Sequence, residues 1–206
     1  ADWFPEIEAD VFISHSHKDL AIAQALSDIL YNAFGVTSFI DSDVWGYSDD
    51  LLRELDDEFC RHPFDKNSYS YEFRNNSTAH VHTMLSIAIS QMMDKCDAVL
   101  FLNTPRSVSN QEIRNKYRTG SPWLYYELSM MRLLKRKEPM LWRRIVADSL
   151  VEKAASLPIK YPVSFDDLPS LSAEEIQLWY SRFCQQRARE SSYPKKFTAM
   201  TVLFQF

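Results

Sequence analysis

The sequence predicts an α/β domain in which a central parallel sheet is flanked by helices. Three short apolar runs, each too short for a helix, indicate buried strands over 10–14, 36–40 and 98–102. The stretches around them carry apolar residues at helical spacing. Strands that alternate with helices along one chain are typical of a parallel sheet wrapped by helices on both faces.

A predicted helix follows each of the first two strands. Asp19 is expected to cap the first helix, and Gly35 stands where a left-handed C-terminal cap is expected. The second strand, 36–40, is rich in β-branched and aromatic residues. A polar loop over 41–47 then leads to Ser48, which is expected to cap the second helix.

The middle of the chain interrupts this pattern. Residues 61–79 are polar and aromatic without a helical period, which predicts an inserted loop or lid. Helical spacing returns over 81–92, before the third strand. A further loop is expected over 103–120. Ser121 and Pro122 then open the next helix, with serine as N-cap and proline at the first helical position.

The chain is expected to divide into a core over 1–137 and a mainly helical extension over 138–206, packed on the same domain. We predict a helix over 141–156, an extended piece over 159–165 and a helix over 172–189. The apolar residues expected to anchor that last helix are Leu178, Trp179 and Phe183.

Composition narrows the classes of function. The formal net charge of −5 argues against nucleic-acid binding, which usually requires a basic face. No apolar run approaches the roughly 20 residues that span a bilayer, and the first residues show no signal-peptide pattern. The three cysteines are widely spaced, as in reduced proteins. We therefore expect a cytoplasmic protein with neither nucleic acid nor membrane as a partner.

Polar and aromatic residues follow each predicted strand. Because ligands of open parallel sheets bind beyond the carboxyl ends of the strands, we expect a polar, aromatic-lined cleft there. The residues at these strand ends that are expected to bind substrate are Ser14, His15, Lys18, Asp41, Trp45, Tyr47 and Asn103.

A second candidate feature lies at the start of the helix that Ser121 opens. Trp123 and Glu127 are four residues apart, so they lie one turn apart on the same helix face. An indole beside a carboxylate suits a nucleoside, since the ring can stack and the carboxylate can engage ribose hydroxyls. The spacing alone also allows Trp123 to be a core residue and Glu127 to be a solvated charge, and by itself it favours that interpretation.

Histidines occur in two alternating pairs, His15 with His17 and His80 with His82. No cysteine or carboxylate spacing supports a metal site around them. We expect no metal.

These residues resemble the TIR (Toll/interleukin-1 receptor) domain family. The segment Asp-Val-Phe-Ile-Ser-His-Ser-His-Lys-Asp over 10–19 is similar to the first box of TIR domains, and the loop after Asp41 corresponds to their BB loop. The pattern Ser121-x-Trp123-x-x-x-Glu127 resembles the helix that carries the catalytic glutamate of NAD-cleaving members. The resemblance covers about residues 9–137, and the chain departs from it at 61–79 and after 137.

The resemblance implies a flavodoxin-like three-layer fold and cleavage of the nicotinamide–ribose bond, with NAD as substrate and no bound cofactor. It assigns Glu127 as the catalytic carboxylate and Trp123 as a stacking wall, and Ser121 beside them is also expected to bind substrate. Ser14, Lys18 and Asp41 would position ribose or phosphate. The loop that carries Trp45 and Tyr47 would close over the site or complete it from a neighbouring subunit.

The prokaryotic members of the family imply a biological setting as well. Thoeris-type TIR proteins act in antiphage defence and make a cyclic or modified ADP-ribose signal for a separate effector. The resemblance also implies self-association through the BB loop. The product stays open between linear, cyclic and base-exchanged ADP-ribose.

Two rival functions share this fold, and fold alone does not decide among them. One is a nucleoside or nucleotide deoxyribosyltransferase-like enzyme, which also relies on a glutamate near ribose. The other is a non-enzymatic TIR module that signals by self-assembly. Such modules generally lack the helix glutamate, so Glu127 favours an enzyme.

Overall fold

A computed structural model describes residues 4–5, 7–46, 48–111, 116–134, 161–165 and 168–205. The elements are, in order, β1 (Val11–Ser14), a 3₁₀ turn (His17–Asp19), α1 (Leu20–Ile29), a π turn (Leu30–Phe34), β2 (Ser38–Phe39), α2 (Asp41–Val44), α3 (Ser48–Phe59), β3 (Arg61–His62), β4 (Asp65–Tyr69), α4 (Tyr71–Lys95), β5 (Ala98–Phe101), β6 (Ser109–Gln111), β7 (Lys116–Thr119), α5 (Pro122–Met131), β8 (Tyr161–Val163), α6 (Ala173–Arg189) and α7 (Lys195–Leu203).

Three parallel strands form the central sheet of the described chain, in the order β2-β1-β5. Val11 is in register with Ser38 of β2 and with Ala98 of β5, and pairing with β5 continues to Ser14 and Phe101. The three predicted strands and their parallel arrangement are confirmed, although the sheet is small. The chain moves to opposite sides of β1 for β2 and β5, so the winding direction reverses at β1.

Successive side chains of β1 point to opposite faces of the sheet, as the two-residue period of a strand requires. Val11 and Ile13 lie in one buried cluster, which helices α1, α6 and α7 cover. Phe12 lies in a second cluster, which helices α4 and α5 cover. Helices therefore pack on both faces of the sheet, as the sequence predicts.

The first helix begins and ends where predicted, but Asp19 is not used as predicted. Its side chain makes no capping hydrogen bond. It accepts hydrogen bonds from Thr104 and Arg106, which follow β5. At the other end, Gly35 has φ of 69° and forms the left-handed cap of the π turn.

The predicted loop over 61–79 is wrong as a description of local structure. This segment forms the β3–β4 hairpin and the first turns of α4. The side chain of Ser70 caps α4 by accepting a hydrogen bond from the Phe73 amide. The buried Asp56 of α3 accepts hydrogen bonds from Arg74 and Ser77, so polar contacts rather than an apolar stripe hold this end of α4.

Two other predicted loops also contain regular structure. Helix α2 lies within 41–47, and α3 begins at Ser48 itself. Within 103–120, strand β6 pairs with β7, and β7 pairs with β8 to form an antiparallel sheet. Strand β8 lies inside the predicted extended piece over 159–165.

The C-terminal helix over 172–189 is confirmed as α6. Ser172 and Glu175 form a reciprocal capping box at its start. Trp179 and Phe183 are buried as predicted, but Leu178 is 43% exposed and is not an anchor. Helix α7 was not predicted from the sequence. The helix predicted over 141–156 lies outside the described residues.

Among the described residues, no helix combines the length and the apolar composition needed to cross a membrane.

Candidate functional site

The candidate site forms where the end of β1 meets α5. Ser14 is the last residue of β1 and is 1% exposed, and Glu127 lies in the middle of α5 and is 3% exposed. The Ser14 hydroxyl donates a hydrogen bond to a Glu127 carboxylate oxygen. Two residues that are 113 positions apart in the chain thus meet at the carboxyl edge of the sheet.

The start of α5 explains how Glu127 reaches this position. The Ser121 side chain accepts a hydrogen bond of 3.3 Å from the Leu124 amide, and Pro122 occupies the first turn. Both features were predicted from the sequence. In the described structure, Ser121 thus caps the helix that carries Glu127. Contact between Ser121 and the substrate stays a prediction.

Glu127 lies in surroundings that disfavour its charged form. Burial raises the pKa of Glu127 well above its usual range, and repulsion from the Asp41 carboxylate raises this pKa further. The hydrogen bond from Ser14 acts in the opposite direction and lowers the pKa of Glu127. Burial is the largest of these effects, so the net pKa of Glu127 is raised. The alternative in which Glu127 is a solvated charge is wrong, because the residue is 3% exposed.

His15 connects the site to the loop that follows β2. The ring is buried, with Nδ1 at 3.3 Å from the Ile13 carbonyl oxygen and Nε2 at 3.0 Å from the Ser42 hydroxyl. A carbonyl oxygen can only accept, so Nδ1 donates to Ile13, and Nε2 and the Ser42 hydroxyl share the second hydrogen bond. Asp41 lies 3.8 Å from Nδ1. His15 therefore connects the start of α2, at Asp41 and Ser42, to strand β1.

Trp123 lies one helical turn before Glu127 and is partly buried. Its ring packs against the core cluster of α4 and α5 and meets the His82 ring edge-on at 5.2 Å. These contacts match the alternative in which Trp123 is a core residue. Stacking of its remaining surface on a substrate ring stays a prediction.

Trp45 makes packing contacts in the described structure. Its indole nitrogen donates a hydrogen bond of 2.9 Å to the Pro5 carbonyl. Its ring meets Phe39 edge-on at 4.8 Å and Phe4 at 5.4 Å. Trp45 thus fastens the N-terminal segment to the sheet. Tyr47, predicted beside it, lies outside the described residues.

The remaining predicted residues lie near the other strand ends. The side chains of Lys18 and Asn103 are exposed. Asn103 lines a cavity of about 480 Å³ between β5, α1 and α6, whose lining does not include Glu127. The structure therefore brings Ser14, Asp41 and His15 to the Glu127 region, and it gives Lys18 and Asn103 no contact with that group.

Asp19, Thr104 and Arg106 join the end of β1 to the loop after β5 through contacts that the sequence did not predict. Asp19 is 1% exposed and accepts hydrogen bonds from Thr104 at 2.5 Å and Arg106 at 3.1 Å. Arg106 also donates to the Lys18 carbonyl at 2.9 Å. The polar run Asn-Thr-Pro-Arg after the third strand was the signal that the sequence offered for this contact. Thr104 and Arg106 lie 85 and 87 residues from Asp19, so no spacing pattern connects them to it.

Metal-ligating side chains do not gather in the part of the chain that the structure describes. There, no group of three or more His, Cys, Asp or Glu side chains is placed to hold a metal ion.

Comparison with protein-family models, with curated proteins and with solved structures found no significant match. The resemblance to TIR domains therefore depends on the motifs quoted above, and function has to be argued from the site itself.

Proposed function

We propose that this chain is a TIR-type enzyme that cleaves the nicotinamide–ribose bond of NAD, with Glu127 as its catalytic carboxylate. One observation carries the proposal. A buried glutamate meets Ser14 at the carboxyl end of the first parallel strand. Parallel sheets bind ligands at this edge, at the point where the winding direction reverses.

The strand order supports a flavodoxin-like fold for this enzyme. Numbered by their sequence order in the sheet, the three parallel strands stand as 2-1-3. Flavodoxin-like sheets begin with the same order and bind their ligand at the reversal between strands 1 and 3. Ser14 and Phe101, which are in register, end the strands on either side of that reversal.

The chemistry requires one carboxylate. Nicotinamide in NAD carries a positive ring charge, so it leaves as a neutral base without a proton from a general acid. Positive charge then develops on the ribose, as in glycoside hydrolysis. Ionised Glu127 stabilises this charge and holds ribose hydroxyls. Ser14 and Asp41 lie beside Glu127 and position the sugar, and Trp123 offers its ring on the same helix.

The acceptor determines the product. Water gives linear ADP-ribose, an atom of the same molecule gives a cyclic product, and a second base gives base exchange. Following the TIR resemblance, we propose that the product is a signal for a separate effector in bacterial antiphage defence. The enzyme would act in the cytoplasm and self-associate through the segment after Asp41.

The test replaces Glu127 by glutamine, which preserves its shape and removes its charge. We expect Glu127→Gln to lose at least about 10² to 10³ in NAD turnover, because one key electrostatic contact is worth about that much. Products are identified by chromatography and mass analysis, with purified protein and in phage-infected cells. Glu174→Gln is the matched control, since Glu174 is exposed on α6. Equal turnover by wild type and Glu127→Gln would refute the assignment.

One observation favours the deoxyribosyltransferase-like rival. Burial raises the pKa of Glu127, and a protonated carboxyl group could donate its proton to a neutral leaving base. Such an enzyme would cleave neutral nucleosides or nucleotides and leave NAD intact. A panel of NAD, nucleosides and deoxynucleosides therefore separates the two enzymes.

A further inference from the structure

A small polar pocket lies between the C-terminal half of α5 and the end of β8, apart from the Glu127 site. Its volume is about 160 Å³. The described lining joins three apolar residues to four polar ones, which are Tyr125, Ser129, Arg132 and Ser164. None of the described lining residues is acidic. The pocket therefore combines one fixed positive charge with hydroxyl-bearing residues and no carboxylate in the described lining.

Three of the polar lining residues belong to α5 and its C-cap. Tyr125, Ser129 and Arg132 follow one another at intervals of four and three residues, the spacing that places side chains on one face of a helix. Glu127 lies two positions from both Tyr125 and Ser129, so it points to another side of the helix. Glu127 and Ser14 do not line the pocket. The pocket is thus a separate site on the helix that carries Glu127.

Arg132 has hydrogen-bonding capacity that the described structure does not use. Its Nη2 atom donates a hydrogen bond of 3.0 Å to the Ser164 carbonyl oxygen, which holds the guanidinium group at the end of β8. Its Nε atom is buried and has no hydrogen-bond partner. The ion pairs of the described residues do not include Arg132. A guanidinium group stays charged in proteins, so a buried N–H of this group without an acceptor is costly.

We propose that this pocket binds a phosphate group, with Arg132 as the residue that pairs with its charge. The planar fork of an arginine matches the oxygens of a phosphate, and hydrogen bonds between two charged groups are the strong ones. The volume is well below the roughly 300 Å³ at which pockets for whole small molecules begin, so the pocket admits one such group. The group is either inorganic phosphate or the phosphate of a monoester. This inference does not depend on the proposed function.

Titration calorimetry of the whole chain with inorganic phosphate, at constant ionic strength, tests the pocket directly. Wild type should bind one phosphate per chain. Arg132→Gln should weaken this binding about tenfold or more, because it removes hydrogen bonds from a charged donor. The matched control is Arg53→Gln, which makes the same change of charge at a side chain that is 70% exposed on α3. This control should bind phosphate as wild type does.

A second variant covers the case in which Arg132→Gln is unstable. Arg132→Lys keeps the positive charge and can still donate to the Ser164 carbonyl oxygen, but it lacks the planar fork. It should therefore also bind phosphate more weakly than wild type. Circular dichroism spectra confirm that each variant is folded.

Glycerol 3-phosphate, with glycerol as its control, identifies the source of the phosphate group. Binding of the ester at least as tight as that of inorganic phosphate assigns the pocket to a phosphorylated molecule, and binding of inorganic phosphate alone assigns it to the free ion. The inference is overturned if wild type shows no saturable binding of either probe, if folded Arg132→Gln binds phosphate equally well, or if acetate binds more tightly than phosphate. Arg132 would then only support the end of α5. Glu127→Gln should bind phosphate as wild type does, so the proposed function and this inference can fail separately.

Discussion

The two ends of β1 carry buried carboxyl groups in opposite electrostatic conditions. Asp10, just before the strand, is 6% exposed and accepts hydrogen bonds from the Thr37 amide at 2.8 Å and from Lys196 at 2.9 Å. Burial raises the pKa of Asp10, but these bonds outweigh it and the net pKa is lowered. Glu127, beside the other end, is 3% exposed, and its pKa is raised, with burial as the largest cause.

The difference distinguishes a structural carboxylate from a candidate functional one. Asp10 has its charge neutralised, which fixes β1, the segment before β2 and the start of α7 to one another. Among the described residues no cation forms an ion pair with Glu127, and burial and the Asp41 carboxylate destabilise its charged form. Perturbed carboxyl groups of this second kind concentrate at functional sites.

Asp10→Asn should have the largest effect on stability. We expect the variant to lose about 1–3 kcal/mol of unfolding free energy near pH 7, because it removes charged hydrogen bonds to a buried group. Since the native pKa of Asp10 is lowered, this stability exists above the unfolded pKa and is lost as pH falls through the native value. Urea denaturation at several pH values measures it.

The control for that comparison is Asp50→Asn, which removes an exposed ion pair. Asp50 and Arg53 have side chains that are 58% and 70% exposed. Such pairs contribute roughly 0–1 kcal/mol. Equal losses in both variants would contradict the structural role of Asp10.

Glu127→Gln should have the opposite pH dependence. A raised native pKa gives stability that is present below the unfolded pKa and is lost as pH rises through the native pKa. Between these two values wild type should lose up to about 1.4 kcal/mol per pH unit relative to the variant. Parallel stability curves for wild type and Glu127→Gln would show that Glu127 is not buried as described.

Ser14→Ala should have the smallest effect. Loss of one hydrogen bond, worth about 1 kcal/mol, predicts roughly a fivefold loss in kcat/KM for NAD. The Ser14 bond lowers the pKa of Glu127, so its removal should move the pH profile of kcat/KM to higher pH. Ser14→Thr retains the hydroxyl and should restore the profile. A lower rate with an unmoved profile would indicate a purely structural serine.

Local signals in the sequence predicted much of the fold. The three strands, the cap at Gly35 and the start of α5 at Ser121 depend on neighbouring residues, so spacing along the chain reveals them. The start of α4 has a local signal too, the Ser70 cap, but its polar first turns also depend on Asp56 of α3, which spacing does not reveal. The exposure of Leu178 likewise depends on where α6 lies against the sheet.

The candidate site shows the same division. The strand-end residues were predicted from the rule for parallel sheets, whereas Glu127 was singled out by the resemblance to TIR domains and not by its spacing alone. The contacts of Trp45 with Pro5 and Phe39 were not predicted, since long-range packing leaves no pattern in the sequence.

By itself, the amino-acid sequence determined the alternation of strands and helices and the set of polar residues that follow the strands, because hydrophobic period and end signals are local properties. Only the tertiary structure decided that Glu127 is buried, meets Ser14 and faces repulsion from Asp41. The charge of a carboxyl group depends on solvent and on distant charges, and the folded chain alone arranges both.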